Sequence, residues 1–390
     1  MEKDISPAPG TTDELDARWR KVLRRRKFLY DIGASGVALS AGAMVAGRAK
    51  AQDDDAGAIT KGDVAILRFL AAAEIIESDL WEQYNELGGA KGGNPAYIAA
   101  LQNLDSDMPQ YISDNTDDEL SHAAFLNRYL ESKGADPVNL KRFLNLPSSK
   151  ATGAQDKPRL TNLMNLNVDT SWYTRYRSGE NPDSGATFKQ AVTIRNEPAI
   201  PLNDSDTPPN TPGIVPPLTG KETPQQLRMQ AIANTAGFHF GFIEQGGSSL
   251  YATMALKATN LQVLRIIVSI GGVEVDHFSL WHDKAGNATA QPLAGVKDPE
   301  TGLKFPDLNN PPFGGEQFQT NLILPEPCDF LFGEALPPCS VIRPTLDKFA
   351  GAVATVRAFT ADLLFMGQPK EFFTFLMKLA EEADAAHREI

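Results

Sequence analysis

Two segments of this 390-residue chain repeat one spacing of reactive side chains, a glutamate followed three residues later by a histidine. The first pair is Glu119 and His122, and the second is Glu274 and His277. Residues three apart on an α-helix project from the same face, so each pair presents a carboxylate and an imidazole together. The alternative interpretation is an ordinary ion pair on a solvated helix surface.

Two further glutamates, Glu74 and Glu244, interrupt apolar runs, where an unpaired charge is costly. The chain order is therefore Glu, Glu-x-x-His, Glu, Glu-x-x-His, with one unit in each of four expected helices. Four carboxylates in one core repel each other, and two divalent cations would neutralise them. Because carboxylates and imidazoles suit iron or manganese, the pattern predicts a site for two Fe or two Mn ions.

Four long helices are expected to position these residues, on the basis of apolar spacing, Thr and Asn caps, and Gly stops. Between the second and third helix lies a long irregular crossover, 139–223, with seven prolines between Pro198 and Pro217. A small hairpin is expected near Trp172–Tyr176. The predicted long helices cover about 60–87, 108–132, 223–258 and 260–283, and shorter ones lie near 95–101, 346–366 and 369–388.

This arrangement resembles the ferritin-like superfamily, which includes ferritins, rubrerythrins, manganese catalases and di-iron oxygenase subunits. More narrowly, residues 66–74 (ILRFLAAAE) are similar to the first-helix pattern of exported bacterial ferritin-like domain proteins related to desiccation-related proteins. The resemblance covers about 61–134 and 224–283. It implies an all-α fold with an up-down four-helix bundle over 61–284, its long crossover between helices two and three. It also implies the metal ligands, which are Glu74, Glu119, His122, Glu244, Glu274 and His277.

Relatives of this kind often carry an aspartate just before the glutamate of Glu-x-x-His, where it orients the opposite histidine. Asp118 matches this position and is expected to orient His277. At the equivalent position in the other half stands Val273, so that half departs from the pattern.

Two aromatic residues are candidates for passing electrons near the metals. Trp81 lies seven residues beyond Glu74, and Tyr251 lies seven residues beyond Glu244. The alternative is simple core packing, because aromatic side chains dominate protein cores.

Glycine pairs flank two of the predicted ligands, at 246–247 and 271–272. Because glycine disfavours a helix interior, the pairs indicate a local bulge or a close helix approach, or else a broken helix without a role. Four other residues are left out of the site. Glu77 is interpreted as a helix-face partner, His239 is expected to point away, and His282 and His387 are expected to be solvated.

Residues 1–51 are interpreted as an export signal. A basic segment at 24–29 (RRRKFL) is followed by an apolar Gly/Ala-rich stretch at 32–47 and an A-x-A signature that ends at Ala51. The basic segment resembles a twin-arginine signal, which implies the twin-arginine translocase as a partner and a periplasmic or secreted bacterial protein. Residues 52–60 are then a linker. The alternative is a membrane anchor, which the short apolar stretch disfavours.

The net charge of −12 argues against a nucleic-acid partner. Only two cysteines are present, Cys328 and Cys339, so a disulfide-dense scaffold and a four-cysteine zinc site are excluded. They are candidates for one disulfide in an oxidising compartment, the alternative being two buried thiols. Both lie in 285–390, which is expected to form an irregular segment and C-terminal helices that pack on the bundle.

The expected function is oxidoreductase chemistry at the metal centre, with a small oxidant or a metal ion as substrate. Oxidase, ferroxidase and catalase-like activities all fit this expectation. Two other classes stay open, a non-cage iron-handling protein and a non-catalytic envelope stress or desiccation protein. Homo-oligomerisation is also left open.

Overall fold

The structure, a computed structural model, describes residues 58–170, 192–208, 210–285, 293–307, 337–340 and 351–389. Within these ranges the chain is mostly helical, which confirms the all-α prediction, and its single sheet has two strands. None of the described helices combines the length and apolarity needed to cross a membrane. The α-helices are α1 (Lys61–Gly88), α2 (Pro95–Gln102), α3 (Met108–Ser132), α4 (Pro224–Ala255), α5 (Leu261–Lys284), α6 (Ala352–Ala361) and α7 (Lys370–Asp384).

The long helices begin where the sequence places capping residues. Thr60 accepts a hydrogen bond from the Asp63 backbone N–H, and the Asp63 carboxylate accepts one from the Thr60 N–H. Thr223 caps α4 in the same reciprocal way, with Gln226 as its partner. Asn260 caps α5 through its side-chain oxygen. Each cap satisfies backbone donors that the first helical turn leaves unpaired, so local chemistry fixes these starts.

The four long helices pack as two pairs, α1 with α3 and α4 with α5. Helix α1 is buried on every side from Phe69 to Trp81, which is the pattern of a helix at the centre of a protein. Helix α7 covers another side of α1, and α6 packs against α7. The C-terminal helices therefore pack on the long helices.

The segment after α3 is fastened to α1 by polar contacts. The Asp79 carboxylate accepts hydrogen bonds from the backbone N–H groups of Leu160 and Thr161 at 2.9 Å. Arg159 forms a buried ion pair with Glu86. Because buried charges need partners, these contacts fix the path of the crossover over α1.

The crossover contains a small sheet that the sequence did not predict. Strand β1 (Leu166–Val168) pairs antiparallel with β2 (Ile194–Glu197), with Val168 opposite Ile194. Strands of three or four residues are too short to show a periodic pattern. The hairpin predicted near Trp172–Tyr176 lies outside the described residues.

The predicted helix over 346–366 is too long. Helix α6 covers only Ala352–Ala361, and residues 346–350 lie outside the described residues. Leu363 then adopts a left-handed backbone conformation with φ of 65°, which is incompatible with a continuing helix. Helix α7 also ends early, at Asp384 rather than near residue 388.

Candidate metal centre

The structure brings the six predicted ligands together at the centre of the four long helices. They form two groups, and in each group one potential ligand atom per residue lies within 4.8 Å of the others. Glu119 and Glu274 belong to both groups. Each group adds one further glutamate and one histidine, so that the first comprises Glu74, Glu119, His122 and Glu274, and the second comprises Glu119, Glu244, Glu274 and His277.

His122 faces three carboxylates from three different helices. Its Nδ1 lies 3.3 Å from an oxygen of Glu74, of Glu119 and of Glu274. A single imidazole nitrogen cannot form three good hydrogen bonds, so the four side chains converge on one point rather than on each other. This convergence is what a shared cation requires.

His277 occupies the matching position in the second group. Its Nδ1 lies 3.1 Å from Glu119 Oε1 and 3.3 Å from Glu244 Oε2. Its other nitrogen, Nε2, lies 3.3 Å from Asp118 Oδ2, where the sequence places an orienting carboxylate. A carboxylate on the outer nitrogen holds the imidazole in the orientation that points Nδ1 inward.

The carboxylates are buried and incompletely satisfied. Glu74 Oε2, Glu244 Oε2 and both side-chain oxygens of Glu274 are buried without a hydrogen bond from the described residues. Buried carboxylate oxygens without donors are costly and require an explanation. Oxygen and imidazole donors of this kind suit iron or manganese, so the residues present fit a bound metal ion.

The pKa values of the site residues also reflect the crowding of buried charges. Burial raises the pKa of Glu74 to about 7, and burial together with neighbouring carboxylates raises the pKa of Glu274 well above its usual value. Although burial opposes it, the surrounding carboxylates raise the pKa values of His122 and His277. Burial would also raise the pKa of Glu119, but hydrogen bonds to both imidazoles lower it instead. Protons therefore balance the charge here, and a divalent cation can replace them.

Asn115 is a site residue that the sequence reasoning missed. Its side-chain NH₂ donates to Glu119 Oε1 at 2.9 Å and to Glu244 Oε1 at 3.0 Å. Its side-chain oxygen accepts a hydrogen bond from Trp281 Nε1 at 2.7 Å. Asn115 thus joins the two helix pairs beside the ligands. Its position four residues before Glu119, on the same helix face, was the available signal.

The two candidate redox residues lie in different surroundings. Burial and the charge of Glu74 raise the pKa of Tyr251, so its hydroxyl keeps its proton and donates a hydrogen bond to Glu74 Oε1. Trp81 is fully buried and stacks on Trp281 and Phe240, with ring centroids 5.2 Å and 5.0 Å apart. Tyr251 therefore touches a predicted ligand, whereas Trp81 belongs to an aromatic core.

The glycine pairs permit close helix approach, and both helices continue through them without a bulge. A Cβ at Gly247 would lie 2.3 Å from Glu274 Oε2, and a Cβ at Gly271 would lie 2.8 Å from Tyr251 Cβ. The nearest atom to a Cβ at Gly246 is 3.9 Å away. One glycine of each pair therefore makes room for a side chain of the site.

The remaining titratable residues lie outside both groups. Glu77 is buried, and burial together with the nearby carboxylates raises its pKa. His239 pairs through Nδ1 with the Tyr84 hydroxyl at 2.6 Å, and burial lowers its pKa to about 3. The prediction that His282 is solvated is wrong, because its ring is buried and stacks on Phe278 one turn earlier.

Two predictions fall partly or wholly outside the described residues. Cys339 is exposed as a free thiol, but Cys328 is not described, so the disulfide between them stays a prediction. The export signal at 1–51 also lies outside the described residues.

Comparisons of the chain with protein-family models, with curated proteins and with solved structures found no match. The two ligand groups have the same composition and the same distribution over the helices. Each group combines a Glu-x-x-His unit from one helix with one glutamate from each of two other helices. One of these two glutamates lies in the other helix pair. Such groups can hold a metal ion at the junction of the helix pairs.

Proposed function

We propose that this protein is a ferritin-like four-helix-bundle protein whose dinuclear iron or manganese centre performs redox chemistry with oxygen or peroxide. The observation that carries the proposal is the sharing of Glu119 and Glu274 between two buried groups of ligands. Two carboxylates common to two groups are the arrangement expected when they bridge two ions. The alternation of helix pairs with a long crossover supports the ferritin-like assignment.

Each residue has a defined part in this proposal. Glu119 and Glu274 would bridge the ions, while the remaining glutamate and histidine of each group would hold one ion each. When bound, the metal pair would supply electron transfer to or from the oxidant. Asn115 fixes the direction of the Glu119 and Glu244 carboxylates through its two hydrogen bonds. Asp118 keeps the His277 ring turned toward the centre.

Tyr251 favours a redox role over a purely structural one. Its protonated hydroxyl donates to Glu74, so a group that can lose one electron and one proton lies directly on a proposed ligand. If the chain is exported by the twin-arginine route, the metal can be inserted in the cytoplasm, before competing metals are met.

The proposal is tested by counting metals per chain in purified protein by mass spectrometry. We expect about two ions of iron or manganese in the wild type, loss of metal in Glu119→Gln, and retention in Glu131→Gln. Glu131 lies near the end of the same helix and pairs with Arg128 at the surface, so it controls for the substitution itself. Equal metal in both variants, or none in the wild type, would contradict the metal centre.

The redox part of the proposal has its own readout. We expect the metal-loaded protein to consume peroxide or oxygen, and Glu119→Gln to lose this activity together with its metal. Full metal content without turnover would instead assign the centre a structural role.

A further inference from the structure

A cavity of about 470 Å³ opens between α3 and α5, beside the candidate metal centre. This volume lies within the range of small-molecule binding sites. Its walls are mainly apolar, with Phe125 from α3 and Ile266, Ile270 and Val273 from α5. Phe125 is half exposed, so part of the apolar lining reaches the protein surface. The cavity therefore favours a ligand with an apolar body.

The inner end of the cavity is formed by a predicted metal ligand. His122 lines the cavity while its Nδ1 faces the carboxylates. In the other half of the centre, Asp118 covers Nε2 of His277 at 3.3 Å. The equivalent residue for His122 is Val273, which offers no hydrogen bond and lines the cavity instead. The two halves of the centre thus differ at this position, where Val273 lines the cavity beside His122.

The cavity is elongated along the helices. Helices α3 and α5 run antiparallel, since Tyr129 bonds to Gln262 at one end and Asp118 contacts His277 at the other. The cavity lining on α5 extends from Gln262 to Val273, which corresponds to about 16 Å of helix at 1.5 Å per residue. A ligand that fills it would be an extended molecule, with one end against His122.

The outer end carries a cationic side chain. Arg265 and Gln262 line that end, and Ser269 lies between them and the centre. A guanidinium at one end of a mainly apolar cavity favours an anionic group, such as a carboxylate or sulfonate. The protein as a whole carries a net charge of −12, so this attraction is local to the cavity mouth.

We propose that this cavity binds an elongated, mostly apolar organic anion, with its charged group at Arg265 and its apolar end against the His122 ring. The role of this ligand as substrate rests on the proposed metal function, because only then does His122 connect it to the reacting centre. The binding itself depends only on the cavity.

The test uses 8-anilinonaphthalene-1-sulfonate, an aromatic sulfonate whose fluorescence rises on burial, titrated into the purified full-length protein. Ser269→Trp fills the cavity from an exposed position on α5, whereas Val268→Trp adds the same ring one residue away, on an exposed side chain outside the lining. We expect saturable binding in the wild type and in Val268→Trp. We expect at least about tenfold weaker binding in Ser269→Trp and in Arg265→Gln.

Two results would overturn the proposal. One is binding that Ser269→Trp and Arg265→Gln leave unchanged. The other is the absence of saturable binding to the wild type. If that wild type sediments as a dimer that Ser269→Trp breaks, a second copy of the chain covers the cavity instead. Metal content of the same samples separates the two proposals. Intact probe binding without metal defeats only the metal function, and metal without probe binding defeats only the cavity ligand.

Discussion

The close approach of α4 to α5 at Gly247 can be tested by a single methyl group. In Gly247→Ala the new Cβ would lie 2.3 Å from Glu274 Oε2, so the carboxylate must retreat by about 1.1 Å to reach the 3.4 Å of ordinary contact. The distance between a bound metal ion and its ligand atoms varies by only about 0.2 Å, so a carboxylate that retreats this far leaves its ligand position. Because both ligand groups contain Glu274, we expect metal affinity to fall at least about tenfold, or about 1.4 kcal/mol.

The neighbouring glycine provides the matched control. A Cβ at Gly246 would meet its nearest atom, on Phe359, at an ordinary 3.9 Å. Gly246→Ala should therefore keep full metal affinity and stabilise α4 by about 1 kcal/mol through helix propensity. Competition with a chelator measures the affinity, and thermal unfolding of the metal-free proteins measures the stability. If Gly247→Ala holds metal as tightly as Gly246→Ala, the carboxylate position does not set the affinity and the reasoning is wrong.

Three further predictions concern neighbouring groups. Asp118→Asn should lower metal affinity by about 10- to 100-fold in chelator competition, because the imidazole it contacts loses its orienting charge. Oxidant treatment of metal-loaded protein should give a radical signal by electron paramagnetic resonance that Tyr251→Phe abolishes and Trp81→Phe retains. Burial raises the pKa of Glu197 to about 7, so the folded state holds its proton more tightly than the unfolded state and stability falls as pH rises through 7. In urea denaturation, Glu197→Gln should reduce the loss between about pH 6 and 8 by on the order of 1 kcal/mol, while the more exposed Glu300→Gln should not.

Local chemistry explains why much of the helical frame was predictable. The caps at Thr60, Thr223 and Asn260 act within one helical turn, so their sequence signal needs no tertiary context. The Glu-x-x-His spacing is equally local, and it identified residues that the structure brings together. Prediction weakened toward the C-terminus, where the left-handed residue Leu363 ends α6 without a glycine to signal it.

Features that depend on tertiary contact could not be predicted in this way. Asn115 acts through residues on α4 and α5, and its own helix reveals only that it shares a face with Glu119. The space that Gly247 leaves is defined by a carboxylate on another helix. The sequence shows Val273 where the other half has Asp118, but only the structure places Val273 in a cavity wall.

The division of the ligands between two helix pairs has a consequence for folding kinetics. Helices α1 and α3 supply three of the six ligands, and α4 and α5 supply the other three, so each pair forms as a hairpin through local contacts. Docking the two hairpins must also close the loop formed by the long crossover. Docking is therefore slower than the formation of each hairpin. Each ligand group draws on both hairpins. A bound ion would therefore stabilise the protein only after the hairpins have docked, and free metal would shift the equilibrium toward the docked state.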